Sequence, residues 1–117
     1  MNWQFNLKPH EIILADPAYE DQSDKKKRPL LVISKSLFHQ NSRYFVCLGI
    51  TTNQEKDPYL VPITNKDTEY ILKEKSQVMC KHIVTVPQEK IIKKITKVTP
   101  EFYARIMKKV KDDILEL

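Results

Sequence analysis

Lys27-Arg28-Pro29-Leu30-Leu31-Val32-Ile33-Ser34 and, after a short polar interval, Tyr44-Phe45-Val46-Cys47-Leu48-Gly49-Ile50-Thr51-Thr52-Asn53 are the stretches whose reading decides the fold. Each holds an unbroken apolar run where a half-exposed strand would alternate, the pattern of strands covered on both faces or closed into a barrel. If the two runs are antiparallel neighbours with Ser34 opposite Phe45, the same register sets Arg28 opposite Thr51. A guanidinium and two hydroxyls then meet at one end of the sheet.

Working outward, His10–Asp16 lies between Pro9 and Pro17 and reads as a first strand. Tyr59–Ile63 is another, confined by Pro62 to an edge or a bulge. Glu69–Leu72 and Gln77–Val86 bring the expected total to about six strands, the last long enough to bend. Lys35–His39 fits one helical turn, and Pro87–Ile95 is expected to be a short basic helix. Thr99-Pro100-Glu101 is a helix start, with a capping hydroxyl, proline at the first helical position and an acid in the first turn. Phe102, Ile106, Met107, Val110 and Ile114 follow at three- and four-residue spacing, with Lys108, Lys109, Lys111, Asp112 and Asp113 on the other side. The class is α+β: a small, strongly bent antiparallel sheet or barrel with its helices at the end.

The 117 residues suit one domain spanning 1–117. Twenty basic against 15 acidic residues give a net charge of +5, a tilt toward polyanions such as nucleic acid. No long apolar segment is present, and the first residues lack the charged start and apolar stretch of a signal peptide. A soluble cytoplasmic protein without membrane contact is therefore expected. Cys47 and Cys80 fall in expected strands without metal-ligand spacing, as buried reduced thiols would. Gly49 is the only glycine, which excludes the glycine-rich phosphate loops of P-loop and Rossmann proteins. No arrangement of His, Cys, Asp and Glu reads as a zinc or calcium site, so neither metal nor cofactor is expected.

The Arg-Pro-led run Lys27–Ser34 resembles the second-strand motif of the MazF/PemK family of toxin ribonucleases. Ile50-Thr51-Thr52 resembles that family's threonine-bearing strand end, Met79–Val86 its late strand, and Lys97-Val98-Thr99-Pro100-Glu101 the start of its terminal helix. The resemblance implies an SH3-like barrel that forms a homodimer, is held inactive by a cognate antitoxin protein, and cuts single-stranded mRNA without a metal, leaving 2′,3′-cyclic phosphate and 5′-hydroxyl ends. It implies Arg28 and Thr51 as the catalytic pair. It also implies that the charged loop before Arg28 closes over RNA and that the antitoxin's tail competes for the same groove. Where the family carries an acid, a glutamine and then an arginine, this chain has Lys81, His82 and Val84. Its loop has no glycine and sets Glu20-Asp21-Gln22 farther from Arg28 than the family does.

The residue types suit the chemistry. Metal-free RNA cleavage needs charge stabilised on phosphorus, and arginine offers phosphate oxygens a permanently charged, planar fork of donors. Thr51 supplies a short hydroxyl for a nonbridging oxygen or the 2′-hydroxyl; Thr52, by strand alternation, is expected on the opposite face. His82 is a candidate acid or base in place of the missing acid, or else a packed strand histidine, while His10 and His39 are expected at the surface. Lys25, Lys26, Lys27 and Lys81 are candidate phosphate contacts, with Tyr19 and Gln22 as further RNA contacts from the loop. Tyr19, Phe38 or Tyr59 could stack bases. Taken alone, Arg28 could simply end a solvated basic run and Thr51 could satisfy backbone. Two other functions stay open: a non-catalytic member that binds RNA or a protein target such as DNA gyrase, and a barrel that only mediates assembly.

Overall fold

The structure is a computed structural model that describes residues 8–16 and 27–116. Its elements run β1 (Glu11–Ala15), β2 (Arg28–Val32), α1 (Ser36–Ser42), β3 (Tyr44–Thr51), β4 (Leu60–Ile63), β5 (Ser76–Pro87), a 3₁₀ turn (Gln88–Lys90), β6 (Ile91–Lys97) and α2 (Pro100–Lys109), which continues as a π-type turn (Val110–Ile114). The six strands form one antiparallel sheet in the order β4-β5-β3-β2-β1-β6. As Pro62 requires, β4 lies at an edge.

The unbroken apolar runs are buried on both faces. On one, Ile12, Leu31, Leu48, Ile50, Val78 and Cys80 pack with Val98 and with Phe102, Ile106 and Val110 of the C-terminal helix. On the other, Ile13, Ala15, Leu30, Val32, Phe45, Cys47, Val86 and Ile91 form a second cluster inside the curl of the sheet. Thr99 caps α2 by accepting from the Phe102 N–H at 3.2 Å, with Pro100 at the first helical position. Both thiols are buried and free.

Three expectations are corrected. Pro87–Ile95 is not a helix: after the 3₁₀ turn, Ile91–Lys97 pairs with β1, Glu11 opposite Lys97. Its β-branched residues suit a strand, and the outer side of β1 has no other partner, so tertiary pairing overrides the helical reading. Lys93 and Lys94 then stand on an edge, where lysine discourages further pairing. Glu69–Leu72 is not a ladder strand. The segment after β4 makes only one bridge, Thr68 with Val98, and two flanking bonds, Glu69 N–H to the Lys97 carbonyl at 2.9 Å and Tyr70 N–H to Thr96 Oγ1 at 3.0 Å. These links stitch the β4 side of the open sheet to the β6 edge. His39, expected at the surface, is buried: Nε2 lies 2.6 Å from Ser34 Oγ and the ring packs on Phe45.

The long β5 bends as expected. Its first residues pair with both β4 and β3, its last with β3 alone, and between Leu48 and Gly49 the β3 partner jumps from Ile83 to Met79. At that bend the chain's only glycine meets β5. A Cβ on Gly49 would stand 2.5 Å from His82 Cδ2 and 2.6 Å from Met79 Cε.

Candidate active-site cleft

Leu30 pairs with Gly49, Leu31 with Leu48 and Val32 with Cys47. Continued to the strand ends, that register sets Arg28 opposite Thr51, and both line one cleft of about 710 Å³. Five parts of the chain build it. Lys27, Arg28 and Pro29 come from the start of β2 and Ile50, Thr51 and Thr52 from the end of β3. Leu14 of β1 and Lys93 and Ile95 of β6 form another wall, and the segment Ile71–Glu74 with Ser76 forms the last.

Arg28 is half-buried and its Nε is shielded from solvent. The Thr51 Oγ1 accepts from the Asn53 N–H at 3.1 Å, which fixes the hydroxyl oxygen and leaves its proton available to donate. Thr52 lines the same cleft: β3 ends at Thr51, so strand alternation does not govern it. Two glutamines hold this wall. Gln77, buried and paired with Thr51, donates to the Asn53 and Glu55 carbonyls at 3.0 and 3.1 Å. Gln54 Nε2 donates to the Thr52 and Lys75 carbonyls at 2.9 and 3.0 Å, tying the end of β3 to the segment before β5.

Among the described lining residues, Lys27, Arg28, Lys73 and Lys93 are cations and Glu74 is the one acid. Such a surface attracts phosphate and concentrates its field inside a partly desolvated cleft. The sequence reading did not single out Lys73, Glu74 and Lys93. Lys93 falls in the stretch expected to be helical, and the other two follow an expected strand; the β1–β6 pairing and the stitched loop bring them in.

The remaining candidates lie elsewhere. Lys81 and His82 line a separate hollow of about 270 Å³ with Glu55, Asp57, Tyr59, Leu60 and Met79. There Lys81 Nζ stands 3.7 Å from Asp57 and 5.3 Å above the Tyr59 ring. Phe38 borders a third hollow with Ile33, Ser34, Lys35, Asn41 and Val46. Tyr19, Gln22, Lys25 and Lys26 lie outside the described residues. Among the described residues no cluster of three or more His, Cys, Asp or Glu has the makings of a metal site, and no helix is long and apolar enough to cross a membrane.

Comparison with solved structures places the fold. A MazF from Deinococcus radiodurans superposes with a TM-score of 0.75 at 12% identity, covering 92% of this chain and 94% of that one. An endoribonuclease from Mycobacterial species, solved in complex with its cognate antitoxin, gives 0.72 at 17% identity over 89% and 90%. Another endoribonuclease from Mycobacterial species gives 0.67 at 16% identity over 93% and 88%. No curated protein matches the chain in sequence. A family model for the PemK-like, MazF-like toxins of type II toxin-antitoxin systems does match, across residues 8–113, and the chain belongs to that family.

Proposed function

We propose that this chain is a type II toxin that cuts single-stranded mRNA in the Arg28–Thr51 cleft without a metal, acts as a homodimer in the cytoplasm, and is restrained by a cognate antitoxin protein. The observation that carries the reading is the register of β2 against β3, which brings a half-buried guanidinium and an oriented hydroxyl to one cationic cleft.

The 2′-hydroxyl oxygen bonds to the adjacent phosphorus while its proton departs, the bond to the 5′-oxygen breaks, and that oxygen takes a proton. The products are a 2′,3′-cyclic phosphate and a 5′-hydroxyl. Arg28 binds nonbridging oxygens and stabilises the added charge of the phosphorane, the role for which a fixed cation in a desolvated site is most effective. Thr51 donates to a phosphate oxygen or holds the 2′-hydroxyl. Glu74 is the carboxylate at hand to accept the attacking proton. Lys27, with Lys25 and Lys26 before it, tracks the phosphate chain. Lys81 and His82, on a separate hollow, serve RNA held beyond the cleft.

The test is incubation of purified protein with long single-stranded RNA in excess chelator, followed by mapping of the ends. Cutting to cyclic phosphate ends, abolished by Arg28→Ala and strongly slowed by Thr51→Val, is expected. Equal cutting by these variants would overturn the assignment. RNA binding without cutting would make the chain a binding-only member, and gyrase inhibition without either would move its target to protein.

A further inference from the structure

Tyr70 and Ile71 are the most exposed large apolar side chains among the described residues, at 68% and 67%. They are adjacent in the chain, and Ile71 lines the wall of the cleft, so that Tyr70 immediately precedes the residues that form it. Exposure of this kind usually belongs to a slack loop, but this segment is pinned at both ends. At its start, Thr68 bridges Val98 and Glu69 and Tyr70 bond to β6; at its end, Gln54 holds the Lys75 carbonyl. The salt bridge from Glu69 to Lys97 at 3.5 Å adds a side-chain tie. An apolar pair is thus presented to solvent by a fixed backbone, beside Lys73 on one wall and Lys93 on another.

We propose that Tyr70 and Ile71 form a ledge on which an unpaired base next to the scissile phosphate stacks, while Lys73 and Lys93 hold the flanking phosphates; this rests on the RNA reading of the cleft. Single strands offer base faces that stack on aromatic and apolar side chains, with cations tracking the backbone between them. The four cations against one acid favour that occupant over a protein segment with mixed charge.

The probe is a labelled, fully 2′-O-methylated RNA oligonucleotide of mixed sequence, which the protein cannot cut. Its binding is followed by fluorescence anisotropy across a salt series, alongside cleavage of ordinary RNA. Tyr70→Ala is expected to weaken binding by about 5- to 150-fold, the range for loss of one stacked base, with the salt slope unchanged. Tyr70→Phe keeps the ring and should bind like wild type. Lys73→Ala and Lys93→Ala should each lower the slope of log affinity against log salt by about 0.7. Since the Tyr70 side chain is exposed, Tyr70→Ala should melt with wild type, so that lost binding is not lost folding.

Wild-type cleavage with equal binding by Tyr70→Ala would overturn the ledge and leave the ribonuclease standing. Tyr70→Phe as weak as Tyr70→Ala would also overturn it, as would a Tyr70→Ala variant deficient only toward an acidic peptide. A wild-type protein that neither binds nor cuts RNA would remove both readings.

Discussion

Gly49→Ala is the substitution whose cost the structure states most directly. No described glycine has a positive φ, so alanine meets no backbone objection at this position. The objection is space: the new methyl would lie 2.5 Å from His82 Cδ2, 2.6 Å from Met79 Cε and 3.2 Å from His82 Cγ. Carbon atoms pack at about 3.5–4.0 Å, so two neighbours must retreat by roughly an ångström. Met79 Cε ends a flexible side chain and can swing away. The His82 contact is a ring near its point of attachment, and moving it means shifting the β5 bend. Overpacking of this kind costs about 1–3 kcal/mol, and the stiffer unfolded chain of alanine returns about 0.4–1 kcal/mol. The net loss expected is about 1–2 kcal/mol, or a melting temperature lower by about 4–8 °C in a domain of this size. Urea unfolding of wild type, Gly49→Ala, His82→Ala and the double variant closes a thermodynamic cycle. A favourable coupling above about 0.5 kcal/mol is expected, because removing the ring makes room for the methyl. A Gly49→Ala protein as stable as wild type, or a double variant with simply additive losses, would refute the reasoning.

Three other outcomes can be checked. Gln77→Leu removes both donors that hold the segment after Thr51 and strands two partly buried carbonyls, so it should cost about 1–3 kcal/mol in urea unfolding and lower the RNA cleavage rate more steeply than its stability loss accounts for. Asp67→Ala deprives Thr64 N–H, Thr64 Oγ1 and Arg105 of their shared acceptor and should cost about 2–4 kcal/mol, whereas Arg105→Ala, at the exposed end of the same pair, should cost about 0–1 kcal/mol; equal losses would refute that asymmetry. Burial pushes the Cys80 thiol up to about 11 and the Cys47 thiol higher still. Both folded values lie above the unfolded one, so their stabilisation is complete below about pH 8.5 and is lost as the pH climbs toward the folded values; the urea midpoint should fall above pH 9, less so in Cys80→Ala, and thiol reagents at pH 8 should label only unfolded chains.

The parts of the fold legible in the sequence were those set by local chemistry. Two uninterrupted apolar runs fixed the central strands, their register followed from pairing one end, and Thr99-Pro100 marked the C-terminal helix. Pro62 located an edge. What escaped was set by partners far away in the chain. Nothing local says that Ile91–Lys97 will pair with Glu11–Ala15; its isoleucines and lysines read equally as a basic helix until the open side of β1 is known to need filling. Tyr70 and Ile71 looked like a strand because apolar residues usually seek cover, and here the chain exposes them. That Arg28 and Thr51 would meet was legible through register, whereas Lys93, Glu74 and the two glutamines depend on loops and edges that register does not reach. Lys81 and His82, candidates through the late-strand resemblance and residue type, line another hollow.

The cleft draws its walls from Leu14 at one extreme and Ile95 at the other. No shorter stretch of chain contains it, and the β1–β6 ladder that completes it joins the first strand of the chain to the last. That is a contact of high sequence separation, formed only once most of the polypeptide is available. During synthesis, therefore, a growing chain has no assembled cleft until β6 has cleared the ribosome and found β1.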